Sequence, residues 1–79
     1  MRIKKNIATS EEGFIFNPGT GDSFTTNEIG TKIITMLKEE EPARAIISAI
    51  CSKYDVDAIQ FERDFEDYLT QLKDFAIME

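Results

Sequence analysis

Gly13-Phe14-Ile15-Phe16-Asn17-Pro18-Gly19-Thr20-Gly21-Asp22-Ser23-Phe24-Thr25-Thr26-Asn27-Glu28-Ile29-Gly30 is the stretch that decides the fold. Its first five residues are aromatic and β-branched, which predicts a strand over residues 13–17. Pro18-Gly19-Thr20-Gly21 is the strongest turn signal in the chain, because proline presets φ and glycine accepts positive φ. Asp22-Ser23-Phe24-Thr25 returns as a strand over about 21–25, so the two make a β-hairpin. The period then changes. Thr25 or Asn27 can cap a helix, and Thr25-x-x-Glu28 fits a capping box.

Downstream of that switch, Ile29, Ile33, Met36 and Leu37 recur at helical spacing, predicting a first helix over 27–39. Gly30 inside it costs about 1 kcal/mol relative to alanine, which implies close packing against a neighbour. Pro42 suits the first position of a second helix, 42–53, whose apolar face is Ala43, Ile46, Ile47, Ile50, Cys51 and Tyr54. Asp55-Val56-Asp57 supplies a break and a cap. Phe61, Phe65, Tyr68, Leu69 and Leu72 then mark a third helix over 57–73. Upstream of the hairpin, Ile3 and Ile7 bracket an edge strand over about 2–8. The apolar tail Phe75-Ala76-Ile77-Met78 packs back on the domain. The expectation is an α+β fold: a three-stranded antiparallel sheet followed by three helices around one core, in a single domain spanning residues 1–79.

Composition narrows the function. The chain has 79 residues, 42% apolar and 30% charged, which places it among globular rather than disordered proteins. It lacks histidine and has one cysteine, so no His/Cys zinc site, no Ser-His or Cys-His nucleophile pair and no intrachain disulfide can be built. No cofactor is implied. The basic N-terminal residues precede no apolar run, so a signal peptide is not expected, and no stretch reaches the about 18 apolar residues that span a bilayer. A cytoplasmic location without membrane contact is the default expectation. The net charge is −6. Residues 1–54 carry seven acidic and seven basic side chains, whereas residues 55–79 carry eight acidic and two basic, so the whole excess lies in the last third.

The apparent chemical motifs have plainer readings. Cys51 sits on an apolar stripe without a basic neighbour and reads as a structural cysteine. Glu39-Glu40-Glu41 lacks the spaced ligands of a calcium loop and reads as solvated surface. Pro18-Gly19-Thr20-Gly21 lacks the lysine and helix start of a phosphate loop. Asp64 with Asp67, or Glu62 with Glu66, share helix faces, but eight carboxylates in 25 residues give such spacings by chance. No enzyme activity is expected. What stands out is the third helix. Phe61, Phe65, Tyr68 and Leu72 form a stripe that Ala58, Leu69 and Phe75 widen beyond what one small neighbour covers. The plain reading of each residue is core; surplus apolar surface beside a short strand is also the signature of a peptide-binding groove.

On these blocks the chain resembles the PqqD-like family, the recognition elements of ribosomally synthesised, post-translationally modified peptides. The resemblance runs over about residues 12–78. It is carried by Gly13 to Gly21, by Phe24-Thr25-Thr26-Asn27-Glu28-Ile29-Gly30-Thr31-Lys32-Ile33, by Ile50-Cys51-Ser52-Lys53-Tyr54-Asp55-Val56-Asp57, and by Phe65-Glu66-Asp67-Tyr68-Leu69-Thr70-Gln71-Leu72. One departure is Thr26, where the family usually has leucine before the asparagine. The resemblance implies a winged-helix-like domain without catalytic activity. Such a domain binds the leader of a precursor peptide and presents it to a modifying enzyme, often a radical S-adenosylmethionine protein. The leader would add as a strand to Asp22, Ser23, Phe24 and Thr25 and lie against Phe61, Asp64, Phe65, Tyr68 and Leu72.

Further expectations follow. Phe65→Ala or Tyr68→Ala should weaken leader binding with the fold intact. The acidic face of the third helix either borders the groove, which calls for Lys or Arg in the leader, or is simply solvated. A winged-helix DNA-binding domain is the main competitor, but residues 57–73 carry five acidic and two basic side chains, the wrong sign for a recognition helix. An enzyme-docking adaptor of the same fold without leader binding is the other. The free edge strand admits a monomer or a weak strand-swapped dimer.

Overall fold

The computed structural model describes residues 1–79. Strand β1 (Ala8–Thr9), β2 (Phe14–Asn17) and β3 (Asp22–Thr25) form an antiparallel sheet in that order. Phe14 pairs with Thr25, Ile15 with Phe24, Phe16 with Ser23 and Asn17 with Asp22. Ile15 is therefore buried while Phe14 and Phe16 face outward on the other side of the sheet. The turn closes on Asn17, whose carbonyl accepts from the Thr20 and Gly21 N–H groups. Gly21 takes the positive φ, +79°, that the sequence reading assigned to a turn glycine.

The expected first strand over 2–8 is corrected. Only Ala8 and Thr9 join the sheet. Residues 2–4 instead pair with the C-terminal tail: Ile3 bridges Met78, the Lys4 N–H donates to the Ile77 carbonyl, and the Glu79 N–H donates to the Arg2 carbonyl. Burial explains the split. Ile3, Ile7, Ile77 and Met78 all enter the core, so the tail needs a partner for its backbone and finds it in residues 2–4. Arg2 clamps this arrangement from outside, its guanidinium bonded to the carboxylates of Glu79 and Glu40.

Helix α1 (Glu28–Lys38) starts one residue inside the expected span. Asn27 is the cap, its Oδ1 accepting the Gly30 N–H at 2.8 Å, while Thr25 remains the last residue of β3. The Thr25–Glu28 capping box therefore does not form. Helix α2 (Ala43–Lys53) carries Pro42 at its cap rather than its first turn, and helix α3 (Ala58–Asp74) is capped by Asp57. Leu37, Ile46 and Ile50 are fully buried at the centre, with Phe65 and Ile77 beside them. Each such side chain contributes about 1.5–3 kcal/mol through burial. Cys51 is half-buried against this core and reduced. Helix α2 packs closely against both α1 and α3, whereas no Cα atom of α1 comes within 8 Å of one in α3 and only side chains reach across. That spacing opens the groove.

Candidate functional site

The wall built by α3 follows from its spacing. Asp57, Gln60, Phe61, Asp64, Phe65, Tyr68, Gln71, Leu72 and Phe75 repeat at three- and four-residue steps, so they share one face for the length of the helix. Two depressions line that face. The larger, about 430 Å³, lies between α3 and α1 and is walled by Ile29, Gly30 and Ile33 opposite Phe61, Asp64, Phe65 and Tyr68. The smaller, about 100 Å³, lies between β3 and the end of α3, among Phe24, Thr25, Tyr68, Leu72 and Phe75. The Phe24 and Phe75 rings close its end with centroids 4.7 Å apart.

The depressions meet at Thr26 and Tyr68, which line both. The Tyr68 hydroxyl and Thr26 Oγ1 lie 3.0 Å apart in a hydrogen bond that bridges the groove. Burial pushes the Tyr68 hydroxyl pKa up, and the bond to Thr26 partly opposes this. Gly30 makes the bridge possible: a Cβ there would overlap Thr26 Oγ1 and lie 3.0 Å from the Tyr68 hydroxyl. The cost that the sequence assigned to a mid-helix glycine is thus traded for this close approach.

The structure brings Phe24, Thr25, Phe61, Asp64, Phe65, Tyr68 and Leu72 onto one groove. Asp22 and Ser23 lie on the exposed edge of β3, outside both depressions, so what they offer the groove is the backbone edge. Phe61, Phe65 and Leu72 are 6%, 2% and 3% exposed, so they are the floor of the groove and part of the core at once. Ala58 and Leu69, counted with the stripe from the sequence, do not line it. The sequence reading did not include the far wall: Thr26 from the β3–α1 junction, Ile29, Gly30 and Ile33 from α1, and Val56 from the α2–α3 turn, nor Asp57 and Gln60 at the start of the α3 wall. Ile29 and Ile33 sit one turn apart, but periodicity assigns such a pair to the core and does not say that α1 and α3 stand apart. A further depression of about 410 Å³ is lined by polar and charged residues, among them Glu11, Glu12, Glu28, Lys32 and Lys53, apart from Tyr54. No group of His, Cys, Asp or Glu side chains converges as a metal site would require, and no helix is long and apolar enough to cross a membrane.

A hairpin sheet with β3 at its edge, set beside a half-apolar groove on a three-helix layer, makes this a small α+β domain. The chain belongs to the PqqD family: the family model described as "Coenzyme PQQ synthesis protein D (PqqD)" matches residues 12–75. Among solved structures, "TbiB1 in Complex with the TbiA(beta) Leader Peptide" superposes with a TM-score of 0.92 at 28% identity, covering 100% of this chain and 95% of that one. "Lasso peptide synthetase B1 complexed with the leader peptide" superposes with a TM-score of 0.79 at 22% identity, covering 92% and 89%, and shares the fold. No curated protein sequence matches the chain.

Proposed function

We propose that this domain binds the leader segment of a ribosomally made precursor peptide and presents it to a modifying enzyme, without catalysing a reaction itself. The observation that carries the reading is the unpaired edge of β3 directly beside the groove, in a chain similar along its whole length to TbiB1, whose structure is a leader-peptide complex. The leader adds as a fourth strand to Asp22–Thr25, satisfying outward N–H and C=O groups, and its apolar side chains fill the groove on α3. Backbone pairing sets register, and the pockets set sequence preference. The advantage to the enzyme is concentration, since a tethered substrate is presented at about millimolar levels. A cytoplasmic radical S-adenosylmethionine protein is the partner the family resemblance implies. Nucleic acid is a poor ligand for a face whose only charged residues are acidic.

The test is amide hydrogen exchange by NMR on adding the leader of a short precursor peptide, sought first among the genes neighbouring this one. Alternate amides of Asp22–Thr25 should slow, because only every second N–H of an edge strand points away from its partner. Binding that leaves all four β3 amides unchanged would refute strand addition. Binding of the modifying enzyme with no affinity for the precursor would favour the enzyme-docking alternative.

A further inference from the structure

The groove is chemically polarised along α3. Its half beside β3 holds only neutral side chains, the helix contributing Gln71 and the Tyr68 hydroxyl as its polar groups there. Its half beside α1 holds two carboxylates, Asp57 and Asp64, at the rim of the larger depression. No Lys or Arg lines either half. Asp57 accepts the Gln60 N–H through Oδ2 at 3.1 Å, and Asp64 accepts the Gln60 side-chain amide through Oδ1 at 3.0 Å. Each therefore keeps one oxygen uncommitted. Neither meets a cation of the protein, whose ion pairs both belong to Arg2. Lys53, four residues before Asp57, lies over the Tyr54 ring and lines a different depression, and Arg63, next to Asp64 in sequence, is exposed and lines neither half.

Resting on the peptide-binding reading above, we infer that the α1–α3 depression takes a large apolar side chain of the leader with a Lys or Arg beside it, paired to Asp57 and Asp64. An apolar pocket of about 430 Å³ falls within the range that holds a ligand group, and unpaired carboxylates at its rim select a cation and reject an anion. The direction of the peptide also follows. Phe24 touches Phe75, and Thr26 touches Tyr68, so β3 and α3 run antiparallel. A peptide antiparallel to β3, the more stable pairing, runs along α3 from Tyr68 toward Phe75. Its cation and anchor then lie on the N-terminal side of the segment that pairs with β3.

The experiment is selection of a randomised peptide display library on the wild-type domain, on D57N/D64N and on E62Q/E66Q. Asparagine caps helices as well as aspartate does and can still accept from Gln60, so D57N/D64N keeps the local structure. E62Q/E66Q removes the same formal charge from α3 residues that do not line the groove. Expected are wild-type and E62Q/E66Q pools enriched in Lys or Arg next to a large apolar residue, and a D57N/D64N pool that keeps the apolar preference but loses the basic one. A fluorescein-labelled peptide from the wild-type pool should bind D57N/D64N about three- to tenfold more weakly. Its affinity for wild type should fall from about 50 mM to about 500 mM salt, with a flatter response in D57N/D64N. Apolar enrichment without a basic excess overturns the inference and leaves peptide binding standing. So does a basic excess lost equally in E62Q/E66Q, which would mark a general effect of net charge. Failure of all three domains to enrich any peptide overturns the peptide-binding reading, and this inference with it.

Discussion

Gly30→Ala should destabilise the domain, against the sign that helix propensity alone gives. Alanine is favoured over glycine in a helix interior by about 1 kcal/mol. Here the new Cβ overlaps Thr26 Oγ1 and lies 3.1 Å from Thr26 Cβ and 3.0 Å from the Tyr68 hydroxyl. Thr26 must rotate, and its 3.0 Å bond to Tyr68 breaks. That loss is worth about 1 kcal/mol. The remaining crowding costs about 1–3 kcal/mol. Set against the propensity gain, the net is a destabilisation of about 1–3 kcal/mol, each kcal/mol lowering Tm by about 4–8 °C in a domain of this size. The diagnostic arm is Thr26→Ala, which removes the hydroxyl and the bond together. In that background Gly30→Ala should cost at least about 1 kcal/mol less, because there is no bond left to break. Urea unfolding of the four proteins, followed by circular dichroism, closes the cycle. A Gly30→Ala variant stabilised by about 1 kcal/mol, or one with equal cost in both backgrounds, would refute the close-approach argument.

Phe65→Ala should cost about 3–5 kcal/mol, a large share of the total stability of a small domain, so loss of binding in that variant will track loss of fold. The expectation that its fold persists is revised by the 2% exposure of Phe65. Tyr68→Ala is the better reporter: it strips a half-buried groove wall, and peptide titration should show weakened binding while the urea midpoint moves less than for Phe65→Ala. Tyr68→Phe keeps the ring and tests the hydroxyl. Because the folded pKa of Tyr68 is raised, its contribution is fully present below the ordinary tyrosine value of about 10 and is lost as pH rises through the raised one. The difference in stability between wild type and Tyr68→Phe should therefore shrink in alkali, and a constant difference would contradict the burial. At the termini, hydrogen bonding from Arg2 holds the Glu79 carboxylate below its usual range. That contribution is present above the ordinary carboxylate pKa and is lost as pH falls through the depressed value. Protection factors for amide exchange at Lys4 and Glu79, corrected for the intrinsic rate at each pH, should fall in acid in wild type and be low already at neutral pH in Arg2→Ala.

How far the chain could be read depends on whether a feature is local. The hairpin, the α1 switch and the stripe on α3 are each set by neighbours within a few residues, and all three appear where their spacing places them. The first strand was misjudged because its partner is the far end of the chain: the backbone of residues 2–4 is satisfied by residues 77–79, a pairing no local pattern encodes. Asn17 was read only as strand or turn. It is buried, its Oδ1 accepting the Gly19 N–H and its Nδ2 donating to the Ala76 carbonyl, so it ties the turn to the tail. The site divides the same way. Its α3 wall was legible as a period, while its α1 wall depends on a distance between helices. Thr26, visible as a departure from the family pattern, is where that distance is bridged.

The overlap between floor and core decides where recognition can vary. Phe61, Phe65 and Leu72 cannot change size without disturbing packing around Leu37, Ile46 and Ile50, because interiors are filled to crystal-like density. A change there alters stability first and selectivity second. The rim has no such constraint. Gln60, Asp64 and Gln71 are exposed, line the groove and carry little of the core, so substitutions among them cost little stability, whereas Asp57 also caps α3 and tolerates only another capping residue such as asparagine. Thr26 and Tyr68 stand between these classes, half-buried and coupled to each other and to Gly30. On the peptide-binding reading proposed above, with a backbone edge that pairs with any strand and a floor fixed by folding, discrimination between peptides comes from these few positions. Grafting rim residues from another member of the fold onto this domain, with the floor left intact, should therefore transfer peptide preference with little change in the unfolding midpoint.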